Sequence, residues 1–180
     1  MLRYQAVADK PDHIVLRRDR DLVGRGWHQW VRRGLLGLLV LLVALALADV
    51  FGQHQSAVAT TANAAVLTVN APSRVRGGLL YTVLFTVRAR ANLKKAILVL
   101  DPGWIDGMQV NSINPQPADE ASRQGRIVLD LGHIAPGRLV KYWIEFQVDP
   151  TTVGRRSQNV ELDDGPKKIL SASRTLTIFP

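Results

Sequence analysis

A chain of 180 residues has room for one ordinary domain and an appendage, which excludes large multidomain enzyme architectures. It carries a formal net charge of +8 and no cysteine, so disulfide scaffolds, thiol nucleophiles, iron–sulfur clusters and cysteine-rich zinc sites are excluded in any compartment. The apolar content of 47% is that of an average globular protein, yet one segment holds a large share of it.

Residues 1–33 carry Arg3, Lys10, Arg17, Arg18, Arg20, Arg25, Arg32 and Arg33 against Asp9, Asp12, Asp19 and Asp21. The only apolar cluster before Leu22 is Ile14-Val15-Leu16, too little to bury a core, so this stretch reads as a basic cytoplasmic tail, disordered or adsorbed to lipid. Gly34 to Ala48 then reads GLLGLLVLLVALALA. It is apolar on every helical face, which calls for lipid or a large core around it, and the remaining chain cannot enclose it. Residues 34–52 are therefore expected to form a transmembrane helix, about 27 Å long over its apolar part at ~1.5 Å per residue, against a hydrocarbon layer of ~30 Å. Asp49 marks its end, since a carboxylate costs about 3 kcal/mol at mid-bilayer and much less at the boundary.

Residues 50–73 contain no Lys or Arg. With the basic residues on the other side of the span, the N-terminus is expected in the cytoplasm and the C-terminal domain outside, in a single-pass protein of the cell membrane. Trp27 and Trp30, one helical turn apart, with Arg32 and Arg33, read as the membrane-interface belt. Three alternatives bear on the span: Ala46-Leu47-Ala48 meets the small-x-small rule of signal peptidase, Arg32-Arg33 resembles the core of a twin-arginine signal, and Gly34-x-x-Gly37 would admit a second helix. The long basic region before the span and its very apolar leucine run favour a permanent anchor. Residues 53–63 are small and polar without a period, which predicts a flexible stalk.

From residue 64 to 180 the period changes to two. Val140, Tyr142, Ile144, Phe146 and Val148 share one face of a strand over Leu139 to Val148, opposite Lys141, Trp143, Glu145 and Gln147. Tyr81, Val83, Phe85, Val87 and Ala89 form a second such face, opposite Thr82, Leu84, Thr86, Arg88 and Arg90. Further strands are predicted over Ala65–Ala71, Ala96–Leu100, Gln109–Ile113, Arg126–Leu131, Gln158–Leu162 and Ser173–Phe179, eight in all. Turns punctuate them at Arg76-Gly77-Gly78, Asp101-Pro102-Gly103, Asn114-Pro115-Gln116-Pro117, Ala135-Pro136-Gly137 and Asp163-Asp164-Gly165-Pro166. No helix-period segment intervenes. The fold class is all-β, an immunoglobulin-like antiparallel β-sandwich of seven or eight strands behind one transmembrane helix, in preference to a closed barrel.

Leu131-Gly132-His133-Ile134-Ala135-Pro136-Gly137, followed by an alternating strand ending Phe146-Gln147-Val148, resembles the L-G-x-[LI]-x-P-G turn of immunoglobulin-like modules in bacterial surface proteins. With Leu100-Asp101-Pro102-Gly103-Trp104 and Pro150 to Arg156, the chain also resembles single-pass membrane proteins of actinobacteria with an extracytoplasmic immunoglobulin-like β-sandwich. The resemblance implies topology and an outside sandwich, and it carries no activity, ligand or catalytic residue.

The histidines are His13, His28, His54 and His133, and only the last lies in the predicted outer domain, in a turn. A zinc or copper site needs three or four converging nitrogen or sulfur ligands, so no metal and no cofactor is expected. There is no nucleophile elbow, phosphate loop or dinucleotide fingerprint, and no enzyme is expected. Asp101 and Asp106 flank Trp104 in a turn where the tryptophan is expected to plug the sandwich end.

The expected function is that of a non-catalytic membrane-anchored envelope protein whose sandwich binds or scaffolds another membrane or envelope protein. Leu84, Trp104 and Trp143 are its candidate partner contacts. An alternative is a binding module for anionic cell-envelope polymer or lipid headgroups, through Arg88, Arg90, Arg155 and Arg156. Nucleic acid is not expected as a partner, because the basic domain faces away from the cytoplasm.

Overall fold

A computed structural model describes residues 26–48 and 53–180, as two separate units. The first is helix α1, Gly26–Leu47. It begins at Gly26 rather than Gly34 because nothing in Trp27 to Arg33 breaks a helix, and the Arg33 guanidinium lies 5.7 Å from the centroid of the Trp30 ring one turn back. Its 22 residues span about 33 Å at ~1.5 Å each. Trp27–Leu47 is long and apolar enough to cross a membrane, a length and composition that a signal sequence can share. The expectations for residues 1–25 and for Asp49 as the end of the span lie outside the described residues.

The second unit is a β-domain. Its strands are β1 (Gln55–Thr61), β2 (Ala65–Pro72), β3 (Arg74–Arg76), β4 (Leu80–Ala89), β5 (Leu93–Leu100), β6 (Met108–Asn114), β7 (Asp119–Arg123), β8 (Arg126–Ile134), β9 (Leu139–Val148), β10 (Gly154–Ser157), β11 (Val160–Asp164), β12 (Lys167–Ala172) and β13 (Thr175–Phe179). One sheet has the order β1-β2-β4-β9-β6 and a second the order β12-β11-β5-β8-β7, while a small third sheet, β10-β13-β3, lies between connections from both. Every pairing is antiparallel except β13 with β3, which is parallel. The domain is thus the β-sandwich read from the sequence, with a three-stranded sheet added at one end.

The two strands whose alternation was clearest lie side by side at the centre of the first sheet, with Tyr81 opposite Phe146, Val83 opposite Ile144 and Phe85 opposite Tyr142. Those side chains point inward and are buried. They meet Leu98 and Leu100 of β5, Leu129 of β8, Leu162 of β11 and Ala172 of β12 from the second sheet in one continuous core. The P-G turn joins β8 to β9: the Arg138 N–H donates to the Ala135 carbonyl at 3.1 Å, with Pro136 preset at the second turn position and Gly137 at φ 78° in the third.

All eight predicted strands form, with ends displaced by two or three residues in four: Ala96–Leu100 becomes Leu93–Leu100, Arg126–Leu131 becomes Arg126–Ile134, Gln158–Leu162 becomes Val160–Asp164 and Ser173–Phe179 becomes Thr175–Phe179. Five were not foreseen, namely β1, β3, β7, β10 and β12. The most consequential is β1, which replaces the expected flexible stalk over most of residues 53–63. It runs antiparallel to β2 from Gln55 opposite Pro72 to Thr61 opposite Val66. Its alternation was masked because both faces carry small residues, Ser56, Val58 and Thr60 inward and Ala57, Ala59 and Thr61 outward, with little polarity contrast.

Candidate functional site

The period-two rule that buries Tyr142 and Ile144 turns Trp143 outward, where it is 42% exposed. Its neighbour on β4 is Leu84 and its neighbour on β6 is Asn114, while Leu84 faces Asn70 on β2. Two residues along the strands in either direction, Thr86 pairs with Lys141 and Thr82 with Glu145. The outer face of the first sheet therefore sets one tryptophan–leucine pair among threonine and asparagine side chains, with Lys141 and Glu145 flanking Trp143 on its own strand. Leu80 and Leu139, both exposed, extend the apolar surface toward the two ends of the same strands.

The outward side of the second sheet is different. Glu161 accepts from Lys168 Nζ at 2.7 Å and lies 3.7 Å from Arg126, which also approaches Asp101 at 3.8 Å. Lys95 and Asp130 pair at 3.1 Å. Such exposed pairs contribute little stability, about 0–1 kcal/mol each, but they give that side a solvated surface on which several charges are already partnered.

Trp104, expected as a partner contact, is fully buried and is not on the surface at all. The 3₁₀ turn Pro102–Trp104 after β5 carries the indole under the end of the first sheet, with ring centroids 5.5 Å from Phe85 and 5.3 Å from Phe146. Its Nε1–H donates to the Asn159 carbonyl at 3.0 Å, so the polar edge of the ring is satisfied. The turn can come this close only through Gly103, since a Cβ there would stand 1.8 Å from the Ser157 carbonyl oxygen. Its role as a plug of the sandwich end is the one the structure shows.

The four arginines offered as an anionic contact are not brought together. Arg88 faces Leu139 where β4 ends and β9 begins, and Arg90 follows it, its N–H bonded to Ala64 before β2. Arg155 and Arg156 lie in β10 of the small sheet, beside the turn after β5 and therefore at the other end of the sandwich. Arg156 is already engaged, its Nε 3.0 Å from Asp106 Oδ2. Trp27, Trp30, Arg32 and Arg33 all lie on α1.

Sequence reading missed the polar groups beneath the small sheet. Arg174 is only 8% exposed and Gln158 is fully buried. The Arg174 guanidinium donates through Nη2 to the carbonyls of Pro72 at 2.7 Å and Ala71 at 3.3 Å, and lies 5.5 Å from the Trp104 ring centroid. It thereby ties the segment before β13 to the corner where β2 leaves the first sheet, and cation–π contact offsets part of its burial. Gln158 Nε2 donates to the Tyr81 hydroxyl at 3.0 Å, which in turn donates to Met108 Sδ at 3.1 Å. Nothing in the local pattern marks Arg174 as buried, because it lies between strands and is fixed by tertiary contacts alone.

Among the described residues no group of three or more His, Asp or Glu side chains gathers as a metal site requires. His133 lies in β8, its Nε2 2.6 Å from Asn92 Oδ1. The described residues include an open depression of about 270 Å³ between β6 and β7, lined by Val110, Ile113, Glu120 and Ile127, and another of about 310 Å³ beside the β1–β2 turn, lined by Asn63, Asn92, Asp164 and Lys168. Neither joins a nucleophile to a base.

No protein-family model matches the chain, and no curated protein matches it. Among solved structures it is similar to CaCohA2 from Clostridium acetobutylicum, determined in solution, at 13% identity and a TM-score of 0.45, over 66% of this chain and 93% of that one. It is also similar to a FixG-related protein from Vibrio parahaemolyticus at 12% identity and a TM-score of 0.36, over 63% of this chain and 95% of that one. Similarity at this level assigns no function.

Burial pushes the Tyr81 hydroxyl from 10.0 up to about 12, against smaller opposing effects of the Gln158 hydrogen bond and the Arg174 charge. An acid whose pKa is raised on folding holds its proton more tightly in the native state, so its stabilisation is complete below pH 10 and fades as pH rises toward 12. Tyr81→Phe should cost roughly 1 kcal/mol at neutral pH through the lost hydrogen bonds. In urea denaturation the gap between native and variant should narrow between pH 10 and 12; a constant gap contradicts the assignment.

Proposed function

We propose that this chain is a non-catalytic, membrane-anchored protein of a bacterial cell envelope whose β-sandwich binds another membrane or envelope protein. Helix α1 is the anchor, with its N-terminus in the cytoplasm and the β-domain outside, as the basic residues before the span and their absence over 50–73 favour. The observation that carries the reading is the unlike character of the two sandwich faces. Ion pairs engage several of the charges on the outward side of the second sheet, whereas the first presents Trp143 beside Leu84, bordered by threonine and asparagine on the neighbouring strands and by Lys141 and Glu145 on its own. An aromatic anchor with a polar rim is the arrangement that concentrates binding energy in protein interfaces. The separation of Arg88 and Arg90 from Arg155 and Arg156 favours this reading over an anionic-polymer site.

Two experiments test it. Trp143→Ala, alone and with Leu84→Ala, removes exposed surface and should leave thermal stability within about 1 kcal/mol. Each variant should lower recovery of a partner co-purified in mild detergent, about thirtyfold for a residue contributing 2 kcal/mol. Equal recovery by folded variants rejects this face. Protease added to intact spheroplasts should digest the β-domain from outside; protection until lysis would overturn the orientation.

A further inference from the structure

Five of the six sheet edges carry a device against strand addition. Lys167 and Lys168 open β12, Asp119, Glu120 and Arg123 stud β7, and the short strands β3 and β10 carry Arg74, Arg76, Arg155 and Arg156. Strand β6 is uncharged, but it is bulged between Val110 and Ser112 and ends at Asn114-Pro115. Strand β1, with the sequence QSAVATT, has no charge, no proline and no register shift against β2. Edges are normally guarded by such features, so β1 is the unguarded edge among the described strands.

The hydrogen-bonding side of β1 follows from the turn after it. The Ala62 N–H donates to the Ala65 carbonyl at 2.8 Å, and pairs alternate along an antiparallel ladder. Thr60 with Leu67, Val58 with Val69 and Ser56 with Ala71 are then the pairs bonded to β2. Gln55, Ala57, Ala59 and Thr61 point their N–H and C=O groups away from β2, into the open edge.

We propose that β1 pairs with β1 of a second copy of this chain, antiparallel and centred on Val58, joining the two first sheets into one. In that register Gln55 meets Thr61 of the other copy, Ala57 meets its Ala59, and Val58 meets its Val58. The outward-bonding residues fall opposite one another, and the whole strand overlaps. Self-pairing at β3 or β10 would bring arginines of two copies together, and at β12 lysines, whereas at β1 no charge opposes another. The small side chains of Ala57 and Ala59 admit a neighbouring strand without a clash. Where α1 lies in a bilayer, copies share a plane, which raises the concentration at which edges meet. The pairing uses neither Trp143 nor Leu84, and so stands independently of the partner-binding reading.

The absence of native cysteine makes single-cysteine variants of the full-length protein in mild detergent a clean test. Val58→Cys sits across the two-fold in a non-hydrogen-bonded pair with Cα atoms about 4.5 Å apart, within disulfide reach. It should give a linked dimer on mild oxidation. Thr60→Cys alone should not, since its copies lie about 13 Å apart along the strand, but mixing it with Ser56→Cys should restore linkage. Ala59→Pro, which removes an outward N–H and spares the ladder to β2, should cut Val58→Cys linkage at least tenfold while the circular dichroism of the domain is kept; Ala59→Lys is the second variant, should proline disturb folding. Trp143→Ala should leave linkage unchanged. Linkage of Val58→Cys no better than Thr60→Cys, linkage that survives both Ala59 variants, or linkage in membranes only to a different polypeptide would each overturn the proposal.

Discussion

The indole of Trp104, wedged beside Phe85 and Phe146, is the contact on which the end of the sandwich depends. It arrives there through a turn so tight that only glycine fits at position 103 against the Ser157 backbone. Once in place it gives the Arg174 guanidinium an aromatic surface, and that guanidinium holds the carbonyls at the corner where β2 passes into β3. A fully buried indole adds a few kcal/mol of apolar burial, a substantial part of the 5–15 kcal/mol that typically holds a domain together. The small sheet β10-β13-β3 has strands of three to five residues, too short to stand alone, and it is held by this cluster beneath it.

A closed core makes the outward faces independent surfaces. Because alternation fixes which side chains point out, the composition of the outward set is free to serve recognition, and the two sheets use it differently. The second carries several mutually partnered charges; the first sets Trp143 between Lys141 and Glu145 on its own strand, with hydroxyl and amide side chains on the strands beside it. A flat face with one large aromatic suits a protein surface better than a small molecule, which would need a concave pocket. The unguarded β1 edge borders that same sheet, so pairing there would extend it rather than cover it.

The parts of the fold legible in the sequence were those where physics is local. Strands β4 and β9 alternate large apolar with polar side chains, and every inward residue read for β4 is buried, as are those of β9 from Tyr142 on. Strands β1 and β12 escaped for different reasons. β1 uses residues too small to show contrast, and β12 follows a two-lysine start, with a register shift opposite it between Leu162 and Asp163. For the candidate site, the outward placement of Trp143 could be read from its neighbours' alternation, whereas Trp104 and Trp143 could not be distinguished as contacts by residue type. Their fates are set by a turn in one case and a strand face in the other. The burial of Arg174 and Gln158 left no local trace, because their partners lie far away in sequence, on β2 and at Tyr81.

One tryptophan closes the core and another stands on the outer face of the first sheet, a division that fluorescence quenching tests directly. In the full-length chain with Trp27→Phe and Trp30→Phe, only Trp104 and Trp143 emit, since the protein has four tryptophans. Two components are expected under acrylamide, one blue-shifted and protected and one readily quenched, with Trp143→Phe removing the quenched component alone. A single uniformly quenched population, or a quenched component that survives Trp143→Phe, would contradict it.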